Sequence, residues 1–443
     1  MRPVKLLLRL LAVTLSLTVV QAQALLPIQE WQTADGARVY FVENHDLPML
    51  DLSVHFPAGA GYDQPETSGV ASMTNGLLRL GADGMSEDEI SRRLADVGAQ
   101  LGGRFSTDHA GLSLRTLVSL RERRQALDLF ARILSRPEFP AAVLEREKVR
   151  LIGALKEADT RPDSIAAVNF YRMVYRDHPY ALRSSGEVAT VEKITREQLV
   201  AFHQSHYVAQ RAVVALIGDV SRAEAEAIAL EVTRGLPQAS GAEPPLPPVP
   251  ELTASAARVI AHPASQAHIL IGAPGITRDD PDYFPLYVGN YVLGGGGFIS
   301  RITEEVRQKR GLAYSAYSYF SPLRRPGPFL IGLQTRRDQS QEALKVVREV
   351  VRDFAAGGPT EDELKAAKQN IIGGFPLRVD SNAKIHEYLV LIGAYRLPLT
   401  YLDDFVRKVD AVTVAQVKDA FARRVHPDRM VTVVVGADEG SKP

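Results

Sequence analysis

The sequence of 443 residues contains no cysteine. A disulfide, a thiolate metal site and a lipoprotein anchor are therefore all excluded. It also lacks an excess of either charge, because 52 basic residues stand against 52 acidic ones. That balance argues against nucleic acid or an anionic membrane surface as the main partner. With 45% hydrophobic and 23% charged residues, the composition is that of an ordinary globular protein.

A long apolar run is missing as well. The run at residues 10–20, LLAVTLSLTVV, is shorter than the roughly 20 residues that a comfortable membrane span needs. Arg2, Lys5 and Arg9 precede or enter it, and small residues follow at Ala22 and Ala24. This pattern predicts a signal peptide over residues 1–24, with an uncleaved N-terminal anchor as the alternative. We therefore expect a periplasmic or otherwise exported protein that is soluble once the signal is removed.

The remaining chain, about 420 residues, is too long for a single hydrophobic core. Residues 236–253, LPQASGAEPPLPPVPELT, are rich in proline and show neither helical nor strand periodicity. Such a segment is typical of a semi-extended linker. It divides the mature chain into an N-terminal domain over residues 25–235 and a C-terminal domain over residues 254–443.

The two halves resemble each other. Residues 194–218 align without gaps with residues 412–436, each residue with the one 218 positions later. Each copy reads as a helix that starts at threonine, a turn, and a buried strand that ends at glycine. The economical inference is a gene duplication. Identical pairs include Thr195/Thr413, Gln198/Gln416, Arg211/Arg429 and Gly218/Gly436.

Strand and helix patterns mix within the first half. Ser86 and Glu89 form a Ser-x-x-Glu capping box, which predicts where one helix begins. The order predicts an α+β fold, in which each duplicated domain is an antiparallel-rich sheet packed with helices on one face. The predicted elements are strands at 38–42 and 50–56, helices at 68–80 and 86–99, strands near 103–118, and helices at 121–135 and 140–157.

Three local signals meet in residues 293–320, LGGGGFISRITEEVRQKRGLAYSAYSYF. A glycine loop precedes a short helix that Ser300 can cap and Gly311 can end, and an alternating strand follows. Arg307 and Tyr314 stand seven residues apart, so a guanidinium and a phenol could converge on one point. Both can donate hydrogen bonds to a peptide carbonyl or an oxyanion. A phosphate loop is the alternative for the glycines, but no Gly-Lys-Ser/Thr follows them.

The segment GGGGFISRITEEVRQKRGLAYS resembles the C-terminal signature of the M16 metallopeptidase family, which includes pitrilysin, insulinase and the mitochondrial processing peptidase. The resemblance extends more weakly over nearly the whole mature chain. It implies a clamshell of two domains that face each other across a cleft, with substrate extended along a sheet edge. It also implies that Arg307 and Tyr314 bind substrate.

The zinc motif of that family is vacated in this sequence. The family holds zinc with His-x-x-Glu-His on the first helix and a distant glutamate, and the glutamate of the motif takes a proton from the zinc-bound water. Glu147 remains in the helix where the distant glutamate is expected, but a single carboxylate cannot form a metal site. We therefore expect no metal or other cofactor in this chain. The residues at the vacated positions are Ser72, Asn75, Gly76 and, for the distant glutamate, Ala154.

Two histidines and a serine have the chemistry of metal ligands or nucleophiles. His203 and His206 lie three residues apart on a predicted helix, which is ligand-like spacing. Their counterparts in the repeat are Phe421 and Arg424, so a surface or packing role is favoured. Ser72 has no Gly-x-Ser-x-Gly elbow around it and is interpreted as a small packing residue.

These observations predict the noncatalytic subunit of an exported heterodimeric M16 zinc peptidase. This chain would supply Arg307 and Tyr314 as substrate-binding residues, and a partner subunit with His-x-x-Glu-His would hold the zinc that cleaves the peptide substrate. Two alternatives remain open. One is a structural or peptide-binding protein without a hydrolytic partner, similar to the core subunits of respiratory complex III. The other is an independently active enzyme.

Overall fold

Two open β-sheets organise residues 27–437, the part of the chain that this computed structural model describes. The predicted signal peptide lies outside these residues. The strands are β1 Gln29–Gln32, β2 Arg38–Glu43, β3 Met49–Phe56, β4 Gly81–Ala82, β5 Met85–Ser86, β6 Gln100–Phe105, β7 Ala110–Leu117, β8 Val213–Gly218, β9 Ala256–Ile260, β10 Gln266–Pro274, β11 Ala313–Phe320, β12 Pro328–Arg336 and β13 Val431–Val435.

The two large sheets have the same topology. The first runs β1-β2-β8-β3-β7-β6 and the second runs β11-β12-β10-β13-β9, so that without β1 each strand of one sheet has a counterpart in the other. Neighbouring strands are antiparallel except for β2 with β8 and β9 with β13, which are parallel. The predicted duplication of an antiparallel-rich α+β domain is therefore confirmed at the level of strand order.

Helices flank both sheets. Two π-helical turns, Tyr291–Gly295 and Glu304–Gln308, interrupt the helical region around the glycine loop. The α-helices are α1 Val70–Leu77, α2 Glu87–Asp96, α3 Leu120–Ser135, α4 Ala141–Ala158, α5 Pro162–Tyr175, α6 Val188–Val191, α7 Arg196–His206, α8 Arg222–Thr233, α9 Tyr283–Asn290, α10 Arg301–Thr303, α11 Ser340–Gly357, α12 Glu361–Gly374, α13 Asn382–Tyr395, α14 Tyr401–Asp410 and α15 Val414–Arg424.

Most predicted elements are present, with differences at their ends. The helix expected at 68–80 is shorter, because left-handed Gly69 (φ +100°) precedes its first turn and the helix ends at Leu77. The region near 103–118 is a hairpin of two strands, β6 and β7. The Ser86 hydroxyl accepts a hydrogen bond from the Glu89 N–H at 3.3 Å, which is one half of the predicted capping box, whereas the Glu89 carboxylate accepts from the Arg93 Nε at 3.0 Å.

One helix of each half packs on the sheet of the other half. Helix α5, from the first half, packs on β10 and β13, whereas α13, from the second half, packs on β2, β3 and β8. Gly393 of α13 lies so close to these strands that a Cβ there would come within 2.5 Å of a Val213 methyl and 2.7 Å of the Tyr40 ring. The exchange joins the two halves through buried apolar surface.

No helix or strand occurs between α8 and β9 in the structure, where the proline-rich segment 236–253 lies. The segment is nevertheless docked. Leu246 and Leu252 are buried, the Leu246 carbonyl accepts a hydrogen bond from the Arg325 Nε at 2.9 Å, and the Pro247 carbonyl lies 3.0 Å from the His178 Nε2. It therefore packs along both halves instead of hanging free.

A buried carboxylate also ties the halves together. Asp108, in the turn between β6 and β7, is fully buried and accepts hydrogen bonds from the Tyr180 hydroxyl at 2.5 Å and the Tyr395 hydroxyl at 2.9 Å. The backbone N–H of Arg324 donates a third bond at 2.8 Å. Two of these donors come from the second half, so the Asp108 charge depends on the interface for its partners.

Candidate functional site

The glycine loop lets a helix end approach an edge strand. At Gly294 an added Cβ would lie 2.3 Å from the Ser318 hydroxyl and 2.6 Å from its backbone nitrogen, both in β11. Asn290, at the end of α9, donates a hydrogen bond to the Ser318 carbonyl at 2.9 Å and accepts one from the Ser318 hydroxyl at 2.7 Å. These contacts fix β11 beside α9 and the π turn that follows it.

The helix after the loop differs from the regular α-helix predicted. It consists of one α turn, α10, and then the π turn Glu304–Gln308. Ser300 stands at the N-cap, but its hydroxyl donates to the Gly297 carbonyl at 2.8 Å and pairs with the Thr303 hydroxyl instead of accepting a backbone N–H. Gly311 ends the helix in the left-handed region (φ +62°), as predicted.

Arg307 is set apart from the basic residues beside it. Lys309 pairs with Glu305 at 2.7 Å, and Arg310 pairs with the same carboxylate. Within residues 27–437 Arg307 has no carboxylate partner. Its guanidinium instead contacts two aromatic rings, with Cζ 4.7 Å from the centre of Phe298 and 4.6 Å from that of Tyr314. The Arg307 hydrogen-bond donors are thus held in place without being neutralised.

A β-bulge presents Tyr314. In the pairing of β11 with β12, Ala313 lies opposite Thr335 and Ser315 lies opposite Gln334, so Tyr314 is an extra residue with no partner. A bulge of this kind re-aims a side chain and increases local twist. The Tyr314 side chain is 80% exposed and lies over the Arg307 guanidinium. The structure therefore brings together the two residues that the sequence predicted would converge.

A groove of about 710 Å³ runs from this pair along β11. Strand β11 ends its sheet, and no strand of the described chain pairs with its other side. Such an edge can accept an extended peptide through backbone hydrogen bonds, which tolerate varied side chains. Besides Arg307 and Tyr314, the groove is lined mainly by aromatic and small residues, among them Tyr283, Tyr287, Tyr291, Gly294, Gly295, Phe298, Tyr317 and Tyr319.

The vacated zinc positions are occupied in ways that do not suit a metal. The Asn75 amide is buried and donates to the Gly111 carbonyl at 2.9 Å and to the Tyr207 hydroxyl at 3.3 Å. The Ser72 hydroxyl donates to the Gly69 carbonyl at 3.4 Å. Gly76 has no side chain, and Ala154 is exposed on α4.

The other candidate ligands lie elsewhere or are engaged. The Glu147 carboxylate is paired with Arg146 at 2.9 Å and with Arg150 at 3.0 Å. Over residues 27–437 no group of three histidine, aspartate or glutamate side chains is arranged to hold a metal ion. The residues at the motif positions therefore do not fit the zinc of the family.

His203 and His206 are core residues. Burial lowers the pKa of His203 to about 4, and its Nε2 lies 2.9 Å from the Leu134 carbonyl. The His206 Nδ1 lies 3.1 Å from the Pro57 carbonyl, and its ring stacks on Phe202 with 4.2 Å between ring centres. Two neutral rings, each engaged with a carbonyl, have the packing role that the sequence favoured.

Burial also perturbs a carboxylate ahead of α1. Asp63 accepts hydrogen bonds from the backbone N–H groups of Gly69 at 2.8 Å and Ala71 at 2.9 Å, and so fixes the start of the helix. Its side chain is almost fully enclosed. Burial raises the pKa of Asp63 to about 7. The two backbone hydrogen bonds favour the charged form and lower the pKa, but their effect is smaller than that of burial.

A duplicated α+β clamshell, an Arg/Tyr pair beside a glycine loop, and a first helix without zinc ligands define a class of protein. The family model of insulinase (peptidase family M16) matches residues 38–186, and that of the peptidase M16 inactive domain matches residues 193–371. The chain belongs to the M16 family.

Among known proteins, the chain is similar to a peptidase M16 inactive domain from Pseudomonas fluorescens, known from a crystal structure. The two are 40% identical with a TM-score of 0.90, over 94% of this chain and all of that one. It is 26% identical to the non-peptidase homolog YmxG of Helicobacter pylori over 389 residues, which is 86% of this chain and 87% of the relative.

The fold is also similar to that of the periplasmic protease PqqL from Escherichia coli. The identity is 16% and the TM-score 0.79, over 93% of this chain and 45% of that one. The chain thus has the M16 fold and is similar to proteins named as an inactive domain and as a non-peptidase homolog. None of the helices within residues 27–437 is both long and apolar enough to cross a membrane.

Proposed function

We propose that this chain is the noncatalytic subunit of an exported heterodimeric M16 zinc peptidase. Its partner would be an M16 subunit that carries His-x-x-Glu-His and holds the zinc, which activates the attacking water there. The observation that carries the proposal is the state of Arg307. Its guanidinium has no carboxylate partner within residues 27–437 and is stacked on Tyr314 at the groove, in a chain whose own motif positions cannot bind zinc.

The groove would hold the substrate. An extended peptide beside β11 would complete the backbone pairing of the free sheet edge, and its side chains would lie against the tyrosines. The Arg307 guanidinium and the Tyr314 hydroxyl would then donate hydrogen bonds to the scissile carbonyl. These bonds strengthen as negative charge develops on that oxygen, so the pair would lower the barrier without taking part in bond breaking.

The test is hydrolysis by the reconstituted pair. This chain is purified alone and together with an M16 subunit that has an intact His-x-x-Glu-His, and zinc content and peptide cleavage are measured for each. We expect zinc to be found in the partner subunit and in the pair but not in this chain alone, and we expect peptide cleavage to require both chains. Arg307→Ala or Tyr314→Phe should lower kcat/KM by about 10²–10³-fold, the usual effect of losing a preorganised donor.

A matched control separates this role from general damage. Arg310→Ala removes a neighbouring guanidinium that is already paired with Glu305. This control should leave hydrolysis within about twofold, since the Arg310 guanidinium is not part of the Arg307 and Tyr314 pair. If Arg307→Ala behaves like Arg310→Ala, the proposal is wrong.

A non-enzymatic peptide-binding protein is the second candidate. The similarity to a relative named as a non-peptidase homolog favours it. In that case a fluorescent peptide would bind the isolated chain and remain intact, and no zinc-motif relative would copurify from the source. Tyr314→Phe would then weaken peptide binding without any hydrolysis to lose.

A further inference from the structure

A second cavity lies in the C-terminal half, away from the Arg/Tyr groove. It has a volume of about 290 Å³ and lies between the outer face of the second sheet and helix α11. Its floor is formed by four residues, one from each of four neighbouring strands, which strand pairing places side by side. In spatial order they are Ala257, Thr432, Ile271 and Ile331.

The duplicated first half provides a comparison for this space. The equivalent row of the first sheet, set by the same pairing pattern, is Val39, Val214, Val54 and Leu112, all fully buried. Thr432 is the counterpart of Val214 in the repeat, and Ala257 is the counterpart of Val39. The second half therefore has a smaller residue at one position and a hydroxyl at another, where the first half has two valines. Closely packed interiors contain few voids larger than a water molecule, so a space of this size departs from the packing of the first half.

Two arginines of α11 border the cavity above this floor. Arg348 donates a hydrogen bond from Nη2 to the hydroxyl of Thr432, a residue that is 1% exposed, at 3.0 Å. Arg352 follows one helical turn later on the same face. Within the described residues neither guanidinium has a carboxylate within ion-pair distance. Burial, and secondarily the like charge of Arg352, lower the pKa of Arg348.

The acidic residue nearest the cavity does not supply the missing charge. Asp428 lines the mouth, but its side chain is 80% exposed and its carboxylate lies 4.0 Å from Arg429. Water screens a carboxylate in that position. The cavity thus has an apolar wall, formed by Ile271, Ile331 and the valines of α11, and an unneutralised positive rim.

From this arrangement we propose that the cavity binds a small amphiphile with a carboxylate head and an unbranched apolar tail. The carboxylate would pair with the Arg348 and Arg352 guanidinium groups, a geometry that favours bidentate hydrogen bonds. The tail would lie over Ala257 and Ile271. At about 30 Å³ per water-sized group the cavity has room for about ten non-hydrogen atoms, which is the size of octanoate.

The probe is octanoate, titrated into the full mature chain by isothermal calorimetry and by NMR of ¹³C-labelled carboxylate. We expect saturable binding at one site. Octanol, which lacks the charge, and acetate, which lacks the tail, should each bind at least tenfold more weakly, and octylamine should not compete. Acetate binding as tightly as octanoate, or octylamine competing with it, would overturn the proposal.

Two variants localise the site. Ala257→Trp places a large ring over the floor of the cavity and should abolish octanoate binding, and the chain should stay folded because residue 257 is exposed. Arg348→Met keeps the length of the side chain and should weaken binding at least tenfold. Arg336→Met, an exposed arginine that pairs with Asp338 at the end of β12, is the control and should bind normally. Equal binding by the Ala257→Trp chain and the unaltered chain would refute the assignment.

Discussion

Phe298 also contacts the Arg307 guanidinium, with 4.7 Å between the Arg307 Cζ and its ring centre, and it is itself 64% exposed. An exposed phenylalanine in a glycine loop keeps apolar surface in contact with water, which is unfavourable, and the contact with arginine offsets part of that cost. Phe298 is therefore a positioning residue for Arg307 in the proposed function. In the linear sequence it is an ordinary aromatic residue after four glycines, so its role could not be predicted.

Phe298→Ala should slow hydrolysis by the two-chain enzyme about two- to fivefold, because a cation–π contact at an exposed site is worth about 0.5–1 kcal/mol. Phe298→Trp should restore the rate, since indole is the better partner for a guanidinium. The measurement is kcat/KM with one peptide for all variants. An alanine variant as fast as the unaltered pair would contradict this role.

The buried Asp63 predicts how stability changes with pH. Its pKa is about 7 in the folded chain and 3.8 as the ordinary value, so the folded state binds a proton more tightly than the unfolded state. Stability from this group is fully present below pH 3.8 and is lost as the pH rises through 7. Compared with Asp63→Asn, the unaltered chain should lose about 2–3 kcal/mol of unfolding free energy between pH 5 and pH 8.

Urea denaturation at a series of pH values checks this prediction. Asp177→Asn, at an exposed aspartate, is the control for the loss of a carboxylate. The pKa assignment for Asp63 would be wrong if the difference between the unaltered chain and Asp63→Asn stayed constant over that range.

At the scale of elements, the sequence predicted what depends on local periodicity and capping. The Ser86 cap, the Gly311 helix end and the duplicated helix and strand before Gly218 and Gly436 are all present. The π turn that carries Arg307 and the bulge at Tyr314 were not predicted. Both depend on contacts with distant segments, since the π turn rests on β11 and the bulge arises only when β11 pairs with β12.

The exchanged helix α13 predicts a pair of glycine substitutions with opposite effects. Gly393→Ala places a methyl within 2.5 Å of Val213 and should cost about 1–3 kcal/mol, because a tightly packed contact must separate. Gly373→Ala, in α12, meets open space and should stabilise the chain by about 0.5–1 kcal/mol through helix propensity. Unfolding free energies from urea denaturation compare the two, and effects of the same sign would argue against the close packing of α13.

At the scale of the whole molecule, the docked segment 236–253 and the exchanged helices act together. The sequence suggested a boundary at this segment, and we propose it as the division between two domains. Nothing in the local pattern indicated that α5 and α13 each pack on the sheet of the other half. Sequence periodicity records which face of a helix is apolar and carries no information on which sheet covers that face.

Cutting the chain in this segment should leave the two halves together. A protease site inserted between Ser240 and Gly241, both exposed, allows cleavage after folding. We expect the fragments to coelute in size-exclusion chromatography and to separate only when urea unfolds them, because each buries a helix of the other. Coelution lost on cleavage alone, without denaturant, would show that the exchange contributes little to cohesion.

The exchange of α5 and α13 also has an evolutionary consequence. After the duplication neither half could be deleted, because the sheet of the remaining half would expose the apolar face that the exchanged helix covers. A half that is needed for folding can lose its metal ligands and still be retained, and Ser72 and Gly76 occupy the positions where a zinc-binding relative has its ligands.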